Sequence, residues 1–540
     1  MSMKQDVSQV AADPALAFTS ELLSSAAARL GVLTVARVRF PLLVTSGVLG
    51  ALAFPTTDWS LFAWVWVAPS LACALVRPPR GALADGWLAG TVFFVILFRW
   101  LDHTFRYYSA IPWPLGWLPI IALAAYCGLY LGLITCSVAW LRERFGDGWI
   151  LAAVPVLWVA GEWVRGHLMD GFPWGLLGYS QHSNLAIIQI AELTGVYGVS
   201  FVVASVNAGL AAGVGLGWRR ALPGLVATTL VLAGVLSFGA LALRSLDAER
   251  GRTPEIRVAV IQPSIEQSLK WDPARRAEAI DVLDRLTRQA AQSRPAAILW
   301  PETAAAIVLR RDPALLARFT TLSAELATPL LVGSLDRMDD PRGQPLNSAF
   351  LLTGRGIQAK YDKVHLVPFG EYVPLSWLIG TVRNWAAFIS EFAPGRERTI
   401  FPLPGTSFGA VICYEGIFPE LFREFVAGGA MFMANITNDA WFGRTSGPWQ
   451  HLGMLPLRAV ENRVSIARAA NTGVSAFVEP SGRVAETLGL FERGVLEKRM
   501  AIRSRTTVYT RFGDWFAYAC LAMAAALLGA ALLRKRERRP

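Results

Sequence analysis

Three polar residues stand at points of the chain where a buried strand would otherwise stay apolar. They are Glu302 in Leu299-Trp300-Pro301-Glu302, Lys363 in Tyr361-Asp362-Lys363-Val364-His365-Leu366, and Cys413 in Val411-Ile412-Cys413-Tyr414-Glu415. Their chemistries are complementary. A carboxylate takes a thiol proton, the thiolate is a nucleophile, and an ammonium lowers a thiol pKa and steadies a tetrahedral oxyanion. Each residue also has an ordinary reading: a lone Cys on a strand is a small buried apolar residue, and a Glu or Lys past a strand is a solvated charge. Together with the sequences around them, the three favour nucleophilic chemistry.

Residues this far apart meet only where a fold gathers strand ends. Short β-branched runs at 256–262, 297–300, 330–334, 348–353, 408–414, 431–437 and 474–479 alternate with helical patterns near 272–292, 313–327, 418–427 and 449–469. That rhythm predicts an α/β sandwich with interior strands, and about 250 residues suit one domain. Side chains just past the carboxyl ends of such strands converge on one crevice.

The rest of the chain is of a different kind. Its 540 residues are 54% hydrophobic and only 17% charged, too apolar for a soluble or disordered chain of this length. The mean hydropathy of +0.40 averages a polar block with long flanks that carry almost no charge. Apolar segments near 40–57, 59–76, 81–98, 109–141, 148–164, 193–217, 221–243 and 515–533 predict an integral membrane helical bundle of eight spans. The first two, separated by Pro55, Thr56, Thr57 and Asp58, read as a tight helical hairpin.

The net charge of +11 raises nucleic acid as a partner, but topology explains it better. Arg29, Arg37 and Arg39, then Arg77 and Arg80, Arg142 and Arg144, Arg219 and Arg220, and the run from Arg534 to Arg539 fall on alternate loops. By the positive-inside rule those loops and both termini are cytoplasmic, and the polar block is extracytoplasmic. The expected divisions are a cytoplasmic tail at 1–37, seven spans within 38–243, the block at 244–513, the eighth span at 514–533 and a basic cytoplasmic tail at 534–540. No cleavable signal peptide is apparent.

Of the five cysteines, Cys73, Cys127, Cys136 and Cys520 fall in apolar spans, so Cys413 has no partner for a disulfide within the block. Glu162, Arg165 and Glu192 lie in or beside spans and read either as snorkelling interfacial charges or as groups facing a cavity. The loops 99–114 and 165–190, with Trp100, Tyr107, Tyr108, Trp113, Trp174 and Tyr179, are expected to face the block as an aromatic belt or a lipid-facing vestibule. His103, His167, His182 and His451 show no ligand spacing, so no metal site is expected. Without a glycine-rich phosphate loop, no nucleotide or other cofactor is expected either.

Four stretches carry a resemblance. Trp300-Pro301-Glu302, Lys363 followed by His365-Leu366-Val367-Pro368-Phe369-Gly370-Glu371-Tyr372-Val373-Pro374, Ile412-Cys413-Tyr414-Glu415 and Asn438-Asp439-Ala440-Trp441-Phe442 resemble the nitrilase (carbon-nitrogen hydrolase) superfamily. The long lysine-loop run inside an eight-span protein resembles, within it, the apolipoprotein N-acyltransferase family, over essentially residues 38–533. The resemblance implies an α-β-β-α sandwich on the periplasmic side of a bacterial inner membrane, with Glu302, Lys363 and Cys413 as a catalytic triad acting through a thioester. It also implies supporting or substrate-binding roles for Glu371, Tyr414, Glu415, Trp271 in Lys270-Trp271-Asp272-Pro273, and Asn347.

The implied reaction is transfer of a phospholipid acyl chain to the α-amine of a diacylglyceryl apolipoprotein, by a monomer. Membrane spans would admit acyl chains and keep water from the thioester. Glu371 has a second reading, a structural carboxylate pairing Lys363 or a backbone turn. The segment 374–396, with Trp377, Trp385, Phe388 and Phe392, reads either as a lid dipping into the bilayer or as a buried helix. A membrane-anchored amide hydrolase using water as second nucleophile is the nearest alternative, and a non-catalytic lipid-binding or transport protein the more distant one.

Overall fold

The computed structural model describes residues 31, 33–109, 111–339, 343–373, 391–503 and 505–534. Most of the N-terminal tail, the tail beyond Arg534, and Trp377, Trp385 and Phe388 of the aromatic segment lie outside the described residues.

The apolar flanks form helices α1 (Ala36–Leu52), α2 (Pro79–Leu97), α3 (Trp117–Phe145), α4 (Ile150–His167), α5 (Val196–Leu216) and α6 (Trp218–Glu249), with a last helix, Trp515–Leu533, after the polar block. Among the described residues six helices are long and apolar enough to cross a membrane, namely α2 to α6 and Trp515–Leu533. The expected second span is instead broken, into a 3-10 turn at Ser60–Trp64 and a short helix at Ala68–Ala74. A break frees backbone groups that an apolar surrounding cannot satisfy. Asn207 of α5 takes them: its Oδ1 accepts from Val67 N (2.9 Å) and Ala68 N (3.1 Å), and its Nδ2 donates to Ala63 O (2.9 Å).

α2 and α3 approach through glycines, the small residues that let apolar helices touch backbone to backbone. A Cβ on Gly90 would meet the carbonyl oxygen of Gly128 at 2.8 Å, and one on Gly128 would meet Thr91 N at 2.5 Å. Asp85 of α2 pairs with Arg39 (3.1 Å), in the first turn of α1, and with Arg77 (3.3 Å), which places those two arginines at one end of the bundle.

The snorkelling reading of the span charges fails, because Glu162 and Arg165 are buried. Glu162 accepts from Leu177 N (2.6 Å), and Arg165 donates to the carbonyls of Phe172 (2.9 Å) and Trp174 (2.7 Å). They fasten the loop after α4 back into the bundle. Glu192 pairs instead with Arg463 and Arg505 of the polar block.

In that block the strands are β1 (Glu255–Gln262), β2 (Ala297–Leu299), β3 (Ala305–Val308), β4 (Leu330–Arg337), β5 (Pro345–Thr353), β6 (Gly356–Asp362), β7 (Ile400–Leu403), β8 (Thr406–Ile412), β9 (Phe432–Thr437), β10 (Ile466–Ala470), β11 (Ser475–Val478), β12 (Val484–Leu488) and β13 (Gly494–Ala501). One sheet runs β13-β1-β2-β4-β5-β6 with β3 beside β4, and the other runs β12-β11-β10-β9-β8-β7. Helices α7 (Arg276–Ala291) and α8 (Pro313–Leu326) cover the first sheet. Helices α9 (Pro419–Ala427) and α10 (Gly447–Asn462) belong to the half built on the second.

Strand β1 shows why these runs are apolar on both sides. Val258 and Val260 join the core that includes Phe408 and Ile412 of the opposite sheet, whereas Ala259 and Ile261 join the core with Leu283 and Phe319 of the helices. The polar block is therefore a sandwich of two sheets and covering helices, the architecture that the resemblance implies.

The helix expected over 449–469 ends at Asn462, where Arg463 turns left-handed (φ 49°), and β10 follows. Buried on all sides and made of small apolar residues plus Arg468, Ile466–Ala470 carries no period that separates strand from helix.

Candidate active site

Glu302, Lys363 and Asn347 gather at one edge of the first sheet for a topological reason. β2 and β4 are parallel, and β5 runs against both β4 and β6. The ends of β2 and β6, followed by Glu302 and Lys363, thus lie beside the start of β5, which carries Asn347. Lys363 N donates to Asn347 O at 2.8 Å. Cys413 comes from the second sheet, as the first residue of the turn Cys413–Ile417 after β8. Its φ of 53° is uncommon for a residue with a side chain, and such backbone persists where neighbours impose it.

The polar geometry is tight. Lys363, only 1% exposed, lies 2.9 Å from Glu371 Oε1 and 3.6 Å from Glu302 Oε1. Asn347 Nδ2 bridges the two carboxylates, donating to Glu302 Oε1 at 2.7 Å and Glu371 Oε1 at 3.0 Å. The remaining oxygens accept backbone N–H groups, Glu302 Oε2 from Asn438 (2.9 Å) and Glu371 Oε2 from Val367 (2.8 Å). Glu371 thereby makes both contacts of its structural reading, an ion pair with Lys363 and a bridge across the lysine loop.

Electrostatics assigns protonation states. Burial works against the Lys363 ammonium, but the Glu371 and Glu302 carboxylates outweigh it and hold its pKa above the ordinary value. Burial pushes the Cys413 thiol well up, and the Glu302 carboxylate pushes it further. Lys363 does lower it, as the residue types suggest, yet recovers only part of the shift. Cys413 therefore rests as a thiol.

Glu415 is a brace. Its Oε1 accepts from Tyr361 Oη (2.7 Å), Val364 N (2.7 Å) and His365 N (3.0 Å), and its Oε2 from Ile412 N (2.7 Å). One buried carboxylate so ties the backbone after Lys363 to the backbone before Cys413. Tyr414 points the other way: its hydroxyl donates to Gly171 O of the α4 loop (3.4 Å), and its ring packs on Phe418 (5.0 Å) and Phe172 (6.5 Å). Phe392 is half-buried, and its N–H donates to Glu371 O (3.0 Å).

Trp271 is 46% exposed and closes the short helix Gln267–Lys270, whose first and last side chains are anchored at the site. Gln267 accepts from Asn438 Nδ2 (2.8 Å), and Lys270 Nζ donates to Glu302 O (3.0 Å) and Thr303 Oγ1 (2.6 Å). Lys270, Asn438 and Tyr361 escaped the sequence reading as individual residues. All three sat inside segments it had singled out, Lys270 beside Trp271, Asn438 beside Asp439 and Tyr361 two residues before Lys363.

Burial holds the Lys270 amine down at about 7, against a partial upward pull from Glu302 and Cys413. Its folded pKa lies below its unfolded value of 10.5, so in that window the unfolded chain binds the extra proton and stability rises with pH. A Lys270→Met protein lacks this dependence. Its melting temperature relative to wild type is expected to fall as pH is raised from about 6 to about 9. A constant difference across that range would show that Lys270 keeps its ordinary pKa.

The aromatic loops form the seam between bundle and sandwich. The Trp100 and Phe442 rings meet at 4.5 Å, those of Tyr108 and Trp441 at 4.8 Å, and Tyr179 Oη donates to Ile417 O at 3.3 Å. Trp100, Trp174 and Tyr179 are buried there, while Tyr107 and Trp113 remain exposed. Among the described residues no group of three or more His, Cys, Asp or Glu is placed to hold a metal ion.

Two family models match the chain: the apolipoprotein N-acyltransferase N-terminal domain over residues 46–209 and the carbon-nitrogen hydrolase domain over residues 257–506. An apolipoprotein N-acyltransferase from Geobacter metallireducens is 39% identical over 497 residues, which are 91% of this chain and 95% of the relative. One from Allorhizobium ampelinum is 34% identical over 513 residues, 90% of this chain and 95% of the relative. Among solved structures, an amidase from Nesterenkonia sp. matches 49% of this chain and 95% of its own, at 21% identity and a TM-score of 0.37. With relatives this similar along nearly their whole length, and with a helical bundle and a sandwich that each match their own family model, the chain belongs to the apolipoprotein N-acyltransferase family.

Proposed function

We propose that this chain transfers an acyl chain from a membrane phospholipid, through a thioester on Cys413, to the N-terminal α-amine of the diacylglyceryl-cysteine of apolipoproteins. The observation that carries the reading is the buried Lys363 ammonium shared by Glu302 and Glu371 at the edge where Cys413 enters, in a chain whose relatives are named apolipoprotein N-acyltransferases.

Glu302 takes the Sγ proton as the sulfur attacks the ester carbonyl, and the Lys363 ammonium stabilises the oxyanion. Collapse breaks the ester C–O bond. Glu302 returns the proton to the departing oxygen, so lysophospholipid leaves with its hydroxyl restored and an acyl-thioester remains. The acceptor amine then attacks that carbonyl, Glu302 accepts one amine proton, the C–S bond breaks and the thiolate recovers the proton, leaving an amide. Thioester chemistry suits the task because a thiolate is both a good nucleophile and a good leaving group. Its hazard is water, which the aromatic seam and the bundle keep away.

The same reading places the sandwich outside the cytoplasmic membrane, with eight crossings, residues 38–243 and 514–533 in the membrane part, residues 244–513 outside it, and both termini in the cytoplasm. The alternating arginine loops support that orientation. α1, at 17 residues, and the broken segment Ser60–Ala74 would be its two shortest crossings.

The test supplies purified protein with phospholipid and a diacylglyceryl lipopeptide whose α-amine is either free or acetylated. A triacylated lipopeptide from the free amine alone, with lysophospholipid in equal amount, is the expected result. Release of free fatty acid at a rate indifferent to the acceptor would mean that water is the second nucleophile and would overturn transfer in favour of hydrolysis.

A further inference from the structure

The left-handed backbone at Cys413 needs something to hold it, and its carbonyl is held by residues outside the triad. His451 Nε2 lies 3.2 Å from Cys413 O, on a side chain that is 1% exposed. A carbonyl oxygen can only accept, so Nε2 carries the proton and donates. The other ring nitrogen, Nδ1, faces Arg468 Nη2 at 3.2 Å and Asp439 Oδ1 at 3.1 Å.

Those two neighbours are fixed in turn. Arg468 Nη2 donates to Asp439 Oδ2 (2.7 Å), Arg468 Nε donates to Val474 O (3.1 Å), and Thr437 Oγ1 donates to Asp439 Oδ1 (2.9 Å). Burial opposes the Asp439 carboxylate, but Arg468 and His451 hold its pKa at about 2. The imidazole therefore sits against the buried Arg468–Asp439 ion pair on one side and donates from Nε2 to the Cys413 backbone on the other.

Gln450, the preceding residue of α10, faces the membrane bundle. Its Oε1 accepts from Trp174 Nε1 (2.8 Å), and its Nε2 donates to the carbonyls of Pro55 (3.1 Å) and Leu97 (3.2 Å). Consecutive helical residues point about 100° apart, so one turn of α10 can engage the bundle with one side chain and Cys413 with the next.

We propose that His451 is a positioning residue that sets the nucleophile's backbone through Cys413 O, and that Gln450 joins this support to the membrane bundle, so that thiol reactivity depends on how the bundle is packed. The inference rests on Cys413 being the nucleophile.

The experiment uses full-length protein in detergent and compares His451→Ala, His451→Gln and Gln450→Leu, each checked by thermal melting. Two rates are read: acylation by phospholipid, and iodoacetamide alkylation of Cys413 across pH. His451→Ala is expected to lower the maximal acylation rate about 100-fold, the scale of a small misplacement of a reacting group, with little change in the donor concentration at half-saturation. Its alkylation profile shifts along the pH axis. His451→Gln, whose amide N–H can reach the same carbonyl, recovers part of both. Gln450→Leu shifts the alkylation profile in the same direction although it touches no reacting atom.

Wild-type acylation and alkylation in His451→Ala would overturn the proposal. So would equal losses in His451→Ala and His451→Gln that track melting temperature alone, or a Gln450→Leu profile identical to wild type. Because alkylation reads the thiol directly, these outcomes are decided even if wild-type protein forms no acyl adduct, a result that would count against the acyl-transfer reading instead.

Discussion

Glu302→Gln is expected to abolish acylation of Cys413 while making its thiol easier to ionise. The two effects have opposite signs because Glu302 acts in two ways. In the proposed reaction it is the base that receives the Sγ proton, and losing a positioned base costs about 100- to 10,000-fold in rate. As a fixed negative charge it is, after burial, the largest influence holding the thiol up. Glutamine keeps the volume and can keep the hydrogen bond from Asn438 N, but it then sets its own NH2 against Asn347 Nδ2, so thermal melting of the variant is compared with wild type before the rates are read. Iodoacetamide, which needs only the thiolate, should therefore alkylate Glu302→Gln faster than wild type at any pH below the wild-type thiol pKa. Slower alkylation together with residual acylation would mean that Glu302 is a structural carboxylate and that another group takes the proton.

Lys363→Met should be the change most damaging to the stability of the site, and it costs rate as well. Removing the oxyanion's cation costs about 100- to 1,000-fold in acylation. It also leaves Glu302 and Glu371 sharing only Asn347 Nδ2 in a buried pocket, and an uncompensated buried charge costs about 3–5 kcal/mol. Adding Glu371→Gln removes one of the two carboxylates. The double variant is expected to recover most of the stability, measured by denaturant unfolding of the detergent-solubilised protein, and none of the acylation. Recovery of both would move the catalytic role from Lys363 to the charge balance of the pocket.

The site was more legible in sequence than the fold around it. Glu302, Lys363 and Cys413 could be named because a polar residue at the end of an apolar run is conspicuous and the surrounding motifs are long. Asn347, Glu371 and Glu415 came from the same resemblance, and their geometry assigns them physical work: Asn347 and Glu371 share the lysine, and Glu415 ties two loops. Lys270, Asn438 and His451 were invisible as partners. Lys270 and Asn438 meet Glu302 across 32 and 136 residues, and no local pattern encodes such contacts.

Secondary structure failed where local period is weak. Ile466–Ala470 merged with the helix before it, and β3, β7, β12 and β13 are short, bent or half-exposed strands that no alternation announced. The broken helix at 60–74 was read as one span because hydropathy registers apolar length, not the Asn207 side chain that makes a break tolerable. Glu162 and Arg165 left two readings open for the converse reason. A charge at a span end is ordinarily interfacial, and only the loop that returns to meet them shows otherwise.

The most direct test of covalent catalysis by Cys413 is the intact mass of the protein after incubation with phospholipid in the absence of acceptor. Wild type should gain the mass of one acyl group, hydroxylamine should remove it, and Cys413→Ala should gain nothing. An unshifted wild-type mass under conditions that support transfer to lipopeptide, or an acyl adduct that persists in Cys413→Ala, would contradict a thioester on this residue.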